Sequence, residues 1–521
     1  MRDYDDTLSF CLEDGTPLVY GLSNDEPATA ILSEPAAFSR PSDPMTEILS
    51  SDRMASSETI NSIAVLPFAN LSADVENEYF CDGLAEELLN ALAKIDDLKV
   101  AARTSAFAFK GKNTNISEIA RTLGVRTVLE GSVRKSGDRI RITVQVINAA
   151  DGYHIWSERY DREMNDIFDV QDEITLAVVD ALKLKLFGVE KAAVLKRYTT
   201  NAEAYQLYLR GRFFFYKRTP EGFNKAIECF EQATEIDADY ALAVSGIADC
   251  YTFLGFYEFL APAEAKDRAK KAAFRALELD NAPAETQTTV AFYYVTYEWN
   301  FVAAEEHFRQ SIECNPKYGL TYHLQAANLL MLGLADDAIA SGECGVELEP
   351  FTIIFNAALA WWYYLVRRND EAIAQALKTI EIAPNHFFAY WVLGLAYALT
   401  GRHEEAITTL QEGIKVSGFV PHLQGELGRV FAQAGLVEEA REVLAALREK
   451  AGTEYISAVN HAKIYAGLGE ADILFEWIEK AIKERSVKLP YFMIDPCLDD
   501  YRSDPRFADV MQRMGLSHIN V

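Results

Sequence analysis

The stretch NDEAIAQALKTIEIAPNHFFAYWVLGLAYALTGRHEEA, residues 369–406, sets two alanines, Ala372 and Ala406, 34 residues apart, with Pro384 between them. The spacing extends in both directions. Ala304, Ala338, Ala372, Ala406 and Ala440 fall at intervals of 34, as do Pro316, Pro350 and Pro384, and Gly401, Gly435 and Gly469. Packing gives the reason: a small residue lets two helices approach closely, and a proline ends the second helix of a pair before the next pair begins. Each unit buries its apolar face against its neighbours, so the pattern predicts an all-α solenoid.

A period of 34 with these residues is the tetratricopeptide pattern. It predicts an array over 203–490 of about eight units, near 203–239, 240–282, 285–318, 319–352, 353–386, 387–418, 421–452 and 455–486, with a C-terminal cap over 491–521. The second unit is longer because GFYEFLAPAEAKD (255–267) extends the turn between its helices.

Ahead of the array, residues 61–188 change period. Ser62 to Phe68 reads as a buried strand, Tyr79 to Lys94 as a helix with Leu84, Leu88, Leu89 and Leu92 on one face, Leu98 to Arg103 as a strand and Ile116 to Leu123 as a short helix. In RIRITVQVIN (139–148), Ile140, Ile142, Val144 and Val146 alternate with Arg139, Arg141, Thr143 and Gln145, the period of a half-buried strand. VLEGSVRK and GYHIWSERY flank it across the turns KSGDR and NAADG. A last helix runs from about Asp166 to Leu186. The expectation is a two-layer α/β domain with a mixed sheet and a right-handed first βαβ unit, joined by a linker over 189–202 to the array.

IAVLPFANLSADVENEYFCDGLAEELLNALAKI, then VAARTSAFAFKGKN, VLEGSVRKSGDRIRITVQVINAADGYHIWSERYDRE and DIFDVQDEI, resemble the amino-terminal domain of TolB-like proteins. Such domains precede tetratricopeptide arrays in bacterial signalling proteins, and the resemblance runs from about 62 to the end of the chain. In similar proteins an adenylate or guanylate cyclase, a winged-helix domain or a protein kinase lies upstream. The first 60 residues are too few for any of these folds, so the resemblance implies the sensory or scaffolding half alone.

Those 60 residues carry 3 basic and 12 acidic groups and mix Ser, Pro, Asp and Glu without a period, which predicts a mostly disordered acidic head. Within it, FCLEDGTPL (10–18) resembles the second half of a zinc ribbon. The upstream CxxC is absent and Asp14 stands beside Cys11 where a second cysteine belongs, so it reads as a remnant with no metal bound. The whole chain has 50 Lys and Arg against 78 Asp and Glu, a net charge of −28 that opposes nucleic acid and anionic membranes. Seven scattered cysteines without CxxC pairs fit a reducing compartment. The longest apolar window, Ile353 to Val366, is too short to span a bilayer, and a cytoplasmic protein is expected.

The loop in VLPFANLSADVENEYFCDGLAEEL (65–88) has the layout of a strand-to-helix ligand site, but one glycine, Gly83, cannot cradle phosphate. Asp74, Glu76 and Glu78 begin a calcium-loop spacing that fails at Tyr79 and Ala85. Acidic residues in a first helical turn favour the helix dipole in any case. No HExxH, GxSxG or tight His/Cys/Asp cluster marks a catalytic centre, and no cofactor is expected. Asp74, Glu76 and Glu78, with Arg139 and Arg141 on the polar face of the hairpin, are candidate docking surfaces.

In tetratricopeptide superhelices the first helix of each unit lines the groove. Registering the units on their alanines places Tyr293, His323, Trp361, Tyr364, Trp391 and Arg429 there, a lining suited to an apolar or aromatic peptide with a basic element. The alternative is that these rings pack between helices, as Trp362 and Tyr363 beside them must. The sequence therefore reads as a non-enzymatic scaffold with protein or peptide partners and an unspecified oligomeric state. A regulatory subunit acting in trans on a cyclase, kinase or transcription factor is the alternative, and an enzyme with an unrecognised site in 61–188 is a third.

Overall fold

The computed structural model describes residues 61–72, 74, 77–112, 114–279, 283–418 and 420–519. The acidic head, with Cys11 and Asp14, lies outside them, as does Glu76. The described chain begins with β1 (Asn61–Val65), β2 (Ala69–Asn70), α1 (Glu78–Ala93), β3 (Leu98–Val100), α2 (Arg103–Phe107) and α3 (Ile116–Leu123). Then follow β4 (Thr127–Ser136), β5 (Arg139–Asn148), β6 (His154–Glu163), α4 (Ile167–Ala181) and α5 (Gly188–Val194). The sheet order is β3-β1-β4-β5-β6, with β2 beside β4. Pairing is parallel around β1 and antiparallel through β4, β5 and β6, the mixed sheet that alternation and turn spacing imply.

Ile140, Ile142, Val144 and Val146 are buried beneath α1 and α4, while Arg139 and Arg141 stay exposed. Gly137 closes the two-residue β4–β5 turn at φ 59°, a conformation that favours glycine. On the opposite face, Leu66 and Val128 pack on Ala106 of α2 and Ile119 of α3. The strand expected to reach Arg103 stops at Val100, because Arg103 opens α2 and gives its guanidinium to Glu86 of α1 (Nε to Oε2, 2.8 Å). The helix expected to reach Leu186 ends at Ala181, two residues before Lys183 turns left-handed at φ 59°. Helix α5 occupies much of the stretch read as linker.

The array is built from helix pairs. The first helices are α6 (Ala202–Phe215), α8 (Ala241–Phe256), α10 (Ala284–Tyr293), α12 (Gly319–Met331), α14 (Ile353–Leu365), α16 (Phe387–Leu399), α18 (Pro421–Gln433) and α20 (Ala458–Leu468). Their partners are α7 (Pro220–Ile236), α9 (Pro262–Leu279), α11 (Phe301–Cys314), α13 (Ala335–Leu348), α15 (Asn369–Ile382), α17 (His403–Ser417), α19 (Val437–Lys450) and α21 (Ala471–Glu484). The chain closes with α22 (Leu489–Met493) and α23 (Pro505–Arg513). Ala304, Ala338, Ala372, Ala406 and Ala440 all sit on second helices and are fully buried, so the period that predicts the fold is the period of the helix–helix seams. Successive first helices from α10 to α20 pack on one another and form the inner layer.

The α/β module and the array share a core, because α1 packs on both its own sheet and α6. The approach is close at Gly83: a Cβ there would lie 2.8 Å from Leu209 Cδ1 and 2.9 Å from Leu209 Cβ. Valine at this position overfills the seam, a change that typically removes about 1–3 kcal/mol. Gly83→Val should therefore lower the urea midpoint of unfolding followed by far-UV circular dichroism; an unchanged midpoint would contradict the α1–α6 contact.

Candidate peptide-binding groove

The inner layer carries the aromatic residues singled out in the sequence. Trp361 of α14 lies 4.9 Å from Trp362 and 5.0 Å from Trp391 of α16, between ring centres. It is also 5.0 Å from Tyr491, on α22. Tyr491 further reaches Phe256 of α8 at 6.3 Å, edge to face. All five residues of α22 are buried, which requires walls on every side of so short a helix. The aromatic face is thus covered by the chain's own segment SVKLPYFMID (486–495), and each large apolar side chain buried there contributes about 1.5–3 kcal/mol.

Polar contacts hold the segment in register. The Tyr364 hydroxyl donates to Asp495 Oδ1 at 2.6 Å, and burial pushes the Asp495 carboxyl above its ordinary range. Arg485 donates to the carbonyls of Tyr297 (3.1 Å) and Glu298 (2.6 Å) beyond α10, and Arg367 pairs with Asp499 at 2.7 Å. The Lys488 ammonium stands 3.6 Å from the Phe256 ring centre, a cation–π contact. Burial pushes Lys488 down to about 8, against the pull of Glu258. Beside the segment, Glu426 and Arg429 of α18 form an ion pair at 2.7 Å and Lys463 of α20 closes on Glu426 at 2.5 Å. Burial opposes the Glu426 charge, yet these two cations hold its carboxyl below the ordinary range.

The expected groove residues therefore divide. Trp361 and Tyr364 contact the terminal segment, Trp391 stands behind Trp361 and the Arg429 charge acts on Asp495, but all four are buried and none is an open wall. Arg429 is committed to Glu426 and to Gln433 (2.8 Å), so it answers a carboxylate of its own helix. Tyr293 sits elsewhere: its ring packs on Phe274 of α9 and its hydroxyl donates to Glu298 at 2.5 Å, the between-helix packing that was the alternative. His323 stacks on Phe355 at 4.5 Å near the other end of the inner layer, where burial pushes its imidazole down to about 3. Sequence reasoning missed the occupant. Its signal was present, since LPYFM with Lys488 ahead of it is itself an apolar, aromatic segment with a basic element.

On the α/β module, Asp74 is exposed and Glu78 pairs with Lys110 at 2.6 Å. Arg139 and Arg141 lie on the exposed sheet face, where Arg141 pairs with Asp161 at 2.6 Å. Among the described residues no helix is long and apolar enough to cross a membrane, and no group of three or more His, Cys, Asp or Glu is arranged to hold a metal ion.

Residues 58–177 match the family model described as HilA/YgeH-like transcriptional regulator, second domain, a different name from the TolB-like resemblance of the same stretch. Residues 389–418, covering most of α16 and α17, match the tetratricopeptide repeat model. A protein of Rhizobium meliloti (strain 1021) named "Putative adenylate cyclase 3" is 44% identical over 187 residues, which are 36% of this chain and 32% of that protein. The chain thus spans about a third of the length of that curated relative. Among solved structures, PilW, a type IV pilus biogenesis factor, aligns at 17% identity and TM-score 0.32, over 44% of this chain and 98% of its own. YrrB, a TPR protein with an unusual peptide-binding site, aligns at 22% and 0.26, over 36% and 93%. The human IFIT1 dimer with m7Gppp-AAAA aligns at 11% and 0.44, over 67% and 77%.

Lys488 gives a test of how the segment is held. Its folded pKa of about 8 lies below the ordinary 10.5, so the folded state binds fewer protons than the unfolded state between these values and stability rises with pH across that window. Lys488→Met keeps an apolar stem over Phe256 and removes the titration. It should stabilise the protein at pH 7 by on the order of 1–2 kcal/mol, a gain that fades toward pH 10. Urea unfolding at pH 7, 8.5 and 10 measures it, and parallel pH dependence in both proteins would contradict the assignment.

Proposed function

We propose that the protein is a non-enzymatic protein–protein interaction scaffold whose array groove takes apolar, aromatic peptide segments. The observation that carries this reading is the complete burial of Leu489–Met493, with Tyr491 against Trp361 and Trp362. The chain's own segment is the template for the partner's, and a partner gains the groove by displacing it. In this reading 61–188 is a TolB-like docking domain, 189–202 its linker, 203–490 an array of about eight units and 491–521 a cap, behind an acidic head over 1–60, in the bacterial cytoplasm. Asp74, Glu76 and Glu78 form one docking surface, and Arg139 with Arg141 another, suited to an acidic partner.

A fluorescent peptide SVKLPYFMID tests the groove. Tyr491→Ser weakens the resident segment and should tighten peptide binding at least tenfold over wild type, whereas Trp361→Glu should abolish it. Fluorescence anisotropy reads both, in variants whose circular dichroism matches wild type. Absence of binding to the Tyr491→Ser protein would overturn the groove reading.

The identity with the cyclase-named protein favours a second reading, a regulatory subunit acting in trans on a cyclase, a kinase or a transcriptional regulator. Partner identity separates the two. Affinity purification that returns a nucleotide cyclase, a kinase or a DNA-binding protein as the stoichiometric partner supports regulation, and any other stoichiometric partner supports the scaffold alone.

A further inference from the structure

A cavity of about 920 Å³ lies at the other end of the inner layer, between the α/β module and the array's first helices. Its size is that of a small-molecule site. Both parts of the protein contribute: Glu87 from α1, Arg212 from α6, Asp249 from α8 and Glu285 from α10 all line it, with Arg218 from the turn after α6.

The polar groups on its walls are not all spent. Glu86 is matched, accepting from Arg103 (2.8 Å), Arg212 (3.0 Å) and the Tyr216 hydroxyl (3.0 Å). Arg212 nevertheless keeps Nε, and Arg218 keeps Nη1, shielded from solvent without a hydrogen-bond acceptor. Such donors favour an anion that reaches them. On the acidic side, Asp249 has one partner, the Thr289 hydroxyl at 2.7 Å. Burial pushes Asp249 to about 6 and Glu87 to about 7, and the Glu285 charge adds to both. Lys94 on the same wall draws on Glu87 and Glu285, and Arg212 and Arg218 draw on Asp249, yet burial still leaves Glu87 and Asp249 raised, which favours a further ammonium among the three carboxylates. Around these groups the lining is aromatic: Tyr208 and Tyr240 lie 5.2 Å apart, and Phe215 carries the Arg218 guanidinium at 4.4 Å.

The two charge sets exclude simpler ligands. Phosphate meets Glu87, Asp249 and Glu285, and a plain cation leaves Arg212 and Arg218 unmatched. We propose that this cavity binds a zwitterionic small molecule, an aromatic amino acid or a short peptide with free termini. Its ammonium lies among Glu87, Asp249 and Glu285, its carboxylate on Arg218 and Arg212, and its ring among Tyr208, Tyr240 and Phe215. Because α1 and the array both line the cavity, the bound molecule bridges the two parts. The site is independent of the peptide groove at α22 and of the scaffold reading.

Isothermal titration calorimetry on the full chain tests it with phenylalanine, Phe-Gly, Gly-Phe, N-acetyl-phenylalanine, phenylalaninamide and phenethylamine. Free phenylalanine or one of the dipeptides should bind at millimolar concentration or below, and the three derivatives that lack one charge should each bind at least tenfold more weakly. Glu285→Gln and Asp249→Asn should each weaken binding at least tenfold with the circular dichroism spectrum unchanged. Arg218→Gln should abolish discrimination between phenylalanine and phenylalaninamide. No heat with any zwitterion, equal affinity for phenethylamine, or binding that survives Glu285→Gln combined with Asp249→Asn would overturn the proposal.

Discussion

Helix α1 serves two cores at once, and the arrangement of the molecule depends on it. Phe80, Leu84, Leu88 and Leu92 lie in the shared core while Gly83 admits Leu209 of α6, so little of the helix is left for solvent. At the seam Glu86 is buried, where a lone carboxylate is strongly disfavoured. Burial works against its charge, but Arg103 and Arg212 outweigh that and hold its pKa below the ordinary value. Removing one partner of such a buried pair typically costs about 3–5 kcal/mol, because the remaining charge is left uncompensated. The network is satisfied only when α2 and α6 both present their arginines to α1, and this fixes module and array in one register. The outer clamps agree with that register: Lys317 donates to the carbonyls of Ile95 and Leu98, and Thr104 to Glu349.

What the sequence reveals follows from how local each cause is. The alanine period is a property of each helix pair, and all five alanines are buried where the period puts them. Alternation in 139–148 is a property of one strand, and the Ile116–Leu123 helix, capped by Asn115 and ended by Gly124, is legible to the residue. Arg103 is different. Its neighbours read as strand, and it opens a helix because a carboxylate 17 positions earlier claims its guanidinium. Trp361 and Trp391 are further still from local reading. Their face of the helix is legible, but what covers that face depends on where α22 arrives after the last repeat, a displacement summed over every unit of the superhelix.

The inner layer is closed at both ends by parts of the same chain, and this sets the terms for any partner. The α/β module lies toward the starts of the first helices, and the terminal segment toward their far ends, where Arg485 and Asp499 meet the turns after α10 and α14 and Asp495 meets Tyr364 in the last turn of α14. A groove that is open a fraction of the time binds its ligand more weakly by that fraction. If the segment is held by about 2 kcal/mol, the penalty is about 30-fold, and at about 4 kcal/mol it approaches 1000-fold. Four large apolar side chains in α22 put the segment toward the tighter end. A peptide that only copies the segment gains no advantage over a tethered one, whose effective concentration is high. On the scaffold reading proposed above, a partner would therefore need to hold a second surface, and the exposed sheet face at Arg139 and Arg141 lies on a module fixed to the array. Under that proposal, engaging both would make displacement of the segment an intramolecular step, and the closed groove would select partners that carry both features over those that carry only one.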